Sequence, residues 1–293
     1  MRKRILLAVM AASLLFALPG CAAEARPLTI TVTFYPLYVA AINVARGVEG
    51  VQVRCMAQPR AGCLHDYQMT TADRRALAGS AVVIRNGAGL EGFLDKLLPS
   101  LGAVVIDASE GVALLPERDA EGDNPHVWVS VSGMIAQVKN IAAGLSAADP
   151  EHAAQYAQNC ADYVGRLEAL GQEMRLALAP YAGFAIVTFH EAFDYFAAEF
   201  GLRVVAVVQA DHASAPSAWE LKEVAQAIRQ ENVRALFAEP QYEGASVEVL
   251  ARETGVPVYT LDAAVSGPLS PPPYGAYLEI MRKNMDTLVE ALS

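Results

Sequence analysis

Positive charge is in short supply: 22 lysines and arginines face 32 aspartates and glutamates, for a formal net charge of −10. That excludes the ordinary nucleic-acid binder, which carries a basic face. Acidity by itself speaks for solubility rather than for a ligand. Apolar runs of membrane-spanning length are missing as well; the one extended run, Ile5 to Leu18, is too short to cross a bilayer comfortably. There are no internal repeats, no stalk and no sizeable low-complexity segment, which argues against a structural or adhesive role. Histidine numbers five and cysteine four, so each can be considered singly. What the chain does have is a hydrophobic fraction of 54% against 18% charged residues, over 293 residues. That composition belongs to a globular chain with enough length for a large core and two lobes.

The first twenty residues set the compartment. Arg2, Lys3 and Arg4 precede the apolar run, and Leu18-Pro19-Gly20-Cys21 closes it. The segment resembles a bacterial lipoprotein signal, in which the cysteine becomes the lipidated first residue. The expectation is that residues 1–20 are removed and that an acyl chain on Cys21 holds an extracytoplasmic protein at the membrane surface. An ordinary signal peptide cleaved nearby would export the protein too. In an oxidising compartment Cys55 and Cys63 could pair, with Cys160 left on a helix. Inert thiols are the other reading; Cys63 as a soft metal ligand, two residues before His65, ranks below both.

From Pro27 on, strand and helix patterns alternate. Strands are expected at Thr29–Phe34, Val51–Met56, Ala81–Ile84 and Ala103–Ile106, then at Phe184–Phe189, Val204–Val208, Arg234–Ala238 and Pro257–Leu261. Helices are expected between them, among them Pro36–Arg46, Phe93–Leu101, Ser217–Gln230 and Ala245–Thr254, with a last one ending at Leu292. Thr70-x-x-Asp73 has the form of a helix cap. Asp149-Pro150 opens a helix to about Leu178, with Ala153, Tyr156, Cys160, Tyr163, Leu167 and Leu170 on one stripe. This predicts an α/β fold of two βα lobes with parallel sheets, residues 21–148 and 181–293, joined by a long rigid helix over 149–180.

His190 sits at a hinge in this pattern. The apolar run Phe184–Phe189 ends there, and Phe193, Phe196, Ala197 and Phe200 continue at helical spacing to Gly201. Parallel sheets bind ligands at the carboxyl ends of their strands. His65, His126 and Asp262 occupy similar corners, each after a strand or its loop. If both sheets aim those edges at one cleft, three neutral imidazoles and a carboxylate meet there, a four-coordinate set suited to Zn²⁺. Mn²⁺ prefers more oxygen. The plainer readings keep His152 as a solvated residue in the first turn of the long helix, His212 as a loop residue and Asp66 as a local cap. Glu239, at the end of its strand, is either a hydrogen-bonded structural acid or a carboxylate supporting or rivalling the fourth ligand.

Five segments in order carry a resemblance: Leu64-His65-Asp66-Tyr67, Asn86-Gly87-Ala88-Gly89-Leu90-Glu91, Asn124-Pro125-His126-Val127-Trp128, Thr188-Phe189-His190-Glu191-Ala192-Phe193 and Phe237-Ala238-Glu239-Pro240-Gln241. Together they resemble the TroA-like and ZnuA-like solute-binding proteins of zinc and manganese ABC importers, from about Leu28 to the end. The resemblance implies a monomeric receptor, not an enzyme, that carries one metal between its lobes to an ABC permease. It implies ligands at His65, His126, His190 and Asp262, with zinc as the cargo and a manganese-specific receptor as the alternative. The chain departs from the pattern at Leu64, where proline is usual, and at Ser214-Ala215-Pro216-Ser217. It also has a short acidic loop, Pro116 to Asn124, in place of a histidine-rich one. A zinc hydrolase is the competing class: His190-Glu191-Ala192-Phe193-Asp194 is similar in outline to the His-Glu-x-x-His helix of metalloproteases, with Asp194 in the second histidine's place.

Overall fold

The computed structural model describes residues 27–57, 64, 67–118, 122–208, 216–240 and 245–293. Cys21, Cys63, His65, Asp66 and His212 lie outside the described residues. So do the signal segment and half of the Ser214–Ser217 departure, Ser214 and Ala215.

The first sheet contains β1 (Leu28–Val32), β2 (Val51–Cys55), β3 (Val82–Arg85) and β4 (Val104–Asp107). All pairings are parallel and the order is β2-β1-β3-β4. The second contains β5 (Ala185–Thr188), β6 (Arg203–Val207), β7 (Leu236–Ala238) and β8 (Val258–Thr260), again parallel, in the order β6-β5-β7-β8. The two lobes thus repeat one topology. Central parallel strands are covered on both faces and therefore read as continuous apolar runs; all four residues of β5 are buried.

Helix α1 (Tyr35–Val44) follows β1 and is buried along its whole length. Helix α2 (Thr71–Ala78) begins at the expected cap. Thr70 Oγ1 accepts from the Asp73 N–H while the Asp73 carboxylate accepts from the Thr70 N–H, so two donors at the helix start are satisfied reciprocally. After β4 come α3 (Val131–Ala148) and the long α4 (Ala153–Leu178). The last four helices, α5 (Asp194–Phe200), α6 (Ala218–Gln230), α7 (Ala245–Thr254) and α8 (Ala276–Leu292), belong with the second sheet.

At 26 residues α4 is about 39 Å long. Its buried stripe, Tyr156, Tyr163, Leu167, Leu170, Met174 and Leu178, packs against α3, against α1 of the first lobe and against α8 of the second. One helix therefore serves as a spine for both cores. It starts three residues later than its sequence pattern suggests, because Pro150–His152 forms a tight 3₁₀ turn first. His152 Nδ1 and the Tyr156 hydroxyl both reach the Asp149 carboxylate at 2.8 Å, closing that turn. Between β3 and β4 the expected helix Phe93–Leu101 is instead two 3₁₀ turns, Gly92–Leu94 and Leu98–Ser100. Pro99 lacks the N–H that an α-helix would need there, and Leu94 and Leu98 bury in one cluster with Met56, Leu77 and Val83.

Cys160 is half-buried on α4, as expected. Cys55 ends β2 as a free thiol that donates to the Ala57 carbonyl, and burial pushes it up to about 12. That suits an inert thiol, since reactivity requires the thiolate.

The carboxyl ends of β1 and β3 are tied by one buried acid. The Glu91 carboxylate accepts from the Thr33 hydroxyl at 2.7 Å and from the Asn86 and Gly87 N–H groups at 2.7 and 3.1 Å. Burial still raises its pKa to about 7, against the pull of those donors. Because the folded pKa exceeds the unfolded one, the linked stabilisation is complete below about 4.5 and is lost as pH rises through about 7. Denaturant unfolding should show wild type losing on the order of 2 kcal/mol between pH 5 and pH 8 relative to Glu91→Gln. Parallel pH profiles for the two proteins would contradict this.

Candidate metal centre

His126 and His190 come from different lobes and meet. Their ring centroids are 4.6 Å apart with the planes at 88°. Both are almost wholly buried, at 0% and 1% exposure, so any ion they hold is enclosed by protein. His190 follows β5 at the carboxyl edge of the second sheet in extended conformation. His126 precedes the turn Val127–Val129 that leads into α3.

Each ring has one nitrogen fixed by an oxygen acceptor. His190 Nδ1 lies 2.8 Å from Glu239 Oε1. His126 Nδ1 lies 2.8 Å from Asn124 Oδ1, which also accepts the His126 backbone N–H at 3.0 Å. In a neutral imidazole, a hydrogen donated from Nδ1 leaves the lone pair on Nε2. Both rings are therefore set in the same tautomer, with the lone pair on Nε2, the atom that could take an ion. Metal-bound histidines are held in this way, with an outer acceptor that fixes orientation and raises basicity.

Glu239 follows β7 and is itself buried. It is the hydrogen-bonded acid the sequence suggested, and its partner is His190, 49 positions away. Replacing Glu239 by glutamine should lower zinc affinity roughly 10–100-fold with little change in the fold. Competitive chelator titration would check this, and an unchanged affinity would contradict it.

Asp262 follows β8. Its backbone is clamped by Asn284 through N–H···Oδ1 at 2.9 Å and Nδ2–H···O at 2.8 Å, and its Oδ1 accepts from the Ala264 N–H at 2.8 Å. Burial raises its carboxyl above the ordinary range. The Ala264 N–H opposes that shift, the nearby Glu239 charge adds to it, and Lys283 pulls it back. Among the described residues, no three His, Cys, Asp or Glu side chains are drawn together closely enough to hold an ion unaided. The described centre is thus the His126–His190 pair with Glu239 behind it; Asp262 lies near enough to feel the Glu239 charge but completes no three-residue group, and His65 lies outside the described residues.

The hydrolase pattern does not take shape. His190 precedes a 3₁₀ turn, Glu191–Phe193, rather than occupying a helix interior. Asp194 does not turn to a metal with it; its carboxylate takes three contacts of 2.6–3.2 Å from the Arg118 guanidinium. Burial raises the Glu191 carboxyl, and the Arg118 backbone N–H it accepts opposes this.

A tryptophan ties the His126 turn to the segment after Asp262. Trp128 is fully buried, edge-on to Phe34 at 4.8 Å and 5.2 Å from the His126 ring. Its Nε1–H donates to the Ala263 carbonyl at 2.8 Å, one residue past Asp262. The Tyr277 hydroxyl of α8 reaches the Trp128 and Ser130 carbonyls at 2.8 and 3.1 Å. Neither the Asn124 clamp nor this Trp128 anchor follows from the pattern of apolar residues. Asn-Pro-His did carry a local signal, since an Asx turn places the asparagine oxygen on the N–H two residues on.

A family model described as ZnuA, zinc-uptake complex component A, periplasmic, matches residues 30–291. The chain belongs to that family. It is similar to the solute-binding protein FpvC of P. aeruginosa, solved in complex with Ni²⁺. The identity is 33%, 91% of this chain and 97% of that one are covered, and the TM-score is 0.80. It is also similar to two proteins of Bacillus subtilis. One is the manganese-binding lipoprotein MntA, 28% identical over the whole of both chains. The other is the high-affinity zinc uptake system protein ZnuA, 25% identical over 90% of this chain and 88% of the other. The resemblance carried by the five motifs and the two-lobed α/β fold are both borne out. Family members are transport receptors rather than a class of enzyme.

Proposed function

We propose that the protein is the extracytoplasmic receptor of a metal-importing ABC transporter, binding one divalent transition metal and delivering it to a permease. The observation that carries this is the pair of buried imidazoles from two lobes, each with Nδ1 fixed by an oxygen and Nε2 left as the coordinating atom. His126 and His190 would be two ligands, with His65 as a third and Asp262 as the fourth. Glu239 fixes the His190 ring from behind. With three imidazoles and one carboxylate the cargo is Zn²⁺, which accepts histidine nitrogen and carboxylate oxygen in four-coordinate sites. Four protein ligands leave no open position for a hydrolytic water, so the protein acts by binding and release and not by catalysis.

Manganese is the second reading. It is favoured by two acids on this side of the second sheet, the buried Glu239 and the half-buried Asp262, because Mn²⁺ takes more oxygen than Zn²⁺. The relatives named above bind zinc, manganese or nickel, consistent with a scaffold that accepts several ions. Cys21 as a lipid anchor fits this role, since a receptor held at the membrane stays near its permease, and the receptor acts as a monomer.

The test is metal content by mass spectrometry, followed by competitive titration of metal-free protein with Zn²⁺ and Mn²⁺. One equivalent of tightly bound zinc is expected. A preference for manganese would move the ligand balance to the carboxylates, and no stoichiometric metal would overturn the receptor assignment.

A further inference from the structure

We infer that Asn124 is a positioning residue of this centre: its amide sets the His126 tautomer and at the same time ties the His126 turn to the His190 turn across the lobes. The metal-affinity part of this rests on the receptor reading; the tautomer part does not.

Asn124 is fully buried and every polar atom it has is used. Oδ1 takes both the His126 N–H and Nδ1. Nδ2 donates to the Glu191 carbonyl at 3.1 Å, next to His190. Its own backbone N–H donates to Leu115, and its carbonyl accepts from the Tyr195 hydroxyl at 2.7 Å. The amide can face only one way. Reversed, it would set an NH₂ against the His126 N–H and an oxygen against the Glu191 carbonyl. Fixing the amide also fixes the ring: an acceptor opposite Nδ1 requires the hydrogen there and the lone pair on Nε2. Pro125 assists by restricting the backbone between the two residues, and its carbonyl is held by the Asn86 amide at 2.9 Å. Asn124 therefore bridges the same two lobes that the proposed metal would join, through hydrogen bonds that do not themselves involve a metal. It removes from the binding step part of the cost of orienting His126 and of aligning the two turns.

The experiment is nitrogen-15 NMR of the histidine rings in metal-free protein, alongside zinc titration, for wild type, Asn124→Ala, Asn124→Ser and Asn124→Asp. Wild type should carry the His126 proton on Nδ1. Asn124→Ala should move it to Nε2 or to a mixture and lower zinc affinity roughly 10–100-fold. Asn124→Ser keeps an oxygen for the turn but not one that reaches the ring, so it should give the same tautomer change in a protein that folds. Asn124→Asp keeps the acceptor and should restore the Nδ1 proton. A His126 tautomer that does not change in Asn124→Ser, or an affinity within twofold of wild type in both short variants, would overturn the proposal. Failure of wild type to bind zinc, manganese or nickel would instead overturn the receptor reading, and the tautomer comparison would still decide the role of Asn124.

Discussion

Replacing His190 by alanine is expected to abolish tight zinc binding while leaving a folded protein. The expected loss exceeds 100-fold, more than the roughly 10–100-fold attached to an outer hydrogen-bond partner, because the substitution removes a coordinating nitrogen itself. Zinc raises the stability of a receptor that binds it only when folded, by an amount set by concentration relative to Kd. The thermal shift on adding zinc should therefore be large in wild type and absent in His190→Ala. The circular dichroism spectrum should be unchanged, since β5 and its neighbours bury their own apolar residues independently of the ring. A variant that binds zinc as wild type does would remove His190 from the centre. A pH series supports the same point: neutral imidazoles bind metal and protonated ones do not, so affinity should fall as pH drops through the imidazole range.

The largest loss of stability is expected for Trp128→Ala. Truncating a fully buried aromatic costs about 3–5 kcal/mol. The Ala263 carbonyl also loses its donor, a further ~1 kcal/mol. Trp128→Phe keeps most of the packing and loses the N–H, so it should cost much less, roughly 1–2 kcal/mol. Urea unfolding at constant m separates the two. Equal losses in both variants would mean that the ring volume does not carry the effect. Trp128 also links the turn after His126 to the segment after Asp262, so the alanine variant should bind metal less tightly as well.

The parts of the fold legible in the sequence are those governed by short-range rules. The Phe184–Phe189 run marked a strand because a strand covered on both faces is apolar throughout, and β5 is buried at every residue. Thr70 and Asp73 marked a helix start because the cap is made by two residues three apart. The Phe93–Leu101 helix failed because Leu94 and Leu98 reach one apolar cluster from two short 3₁₀ turns, so helical spacing survives without a continuous helix. The repeated strand order of the two sheets was not legible, since it resides in connectivity and not in matching side chains. At the centre, the position of His190 followed from a strand end, whereas His126 sits well past β4, at the turn that leads into α3. The Glu239–His190 contact, 49 residues apart, required the fold. So did the cross-lobe reach of Asn124 to the Glu191 carbonyl, a separation of 67.

The central claim is that one metal is held between the lobes by the Nε2 atoms of His126 and His190. Anomalous X-ray diffraction at the zinc edge, on crystals of zinc-loaded protein, tests it most directly. The expected result is a single strong peak about 2.0–2.1 Å from both Nε2 atoms, with Nδ1 still on Glu239 and Asn124. A peak elsewhere, or coordination through Nδ1 with those two contacts broken, would contradict it.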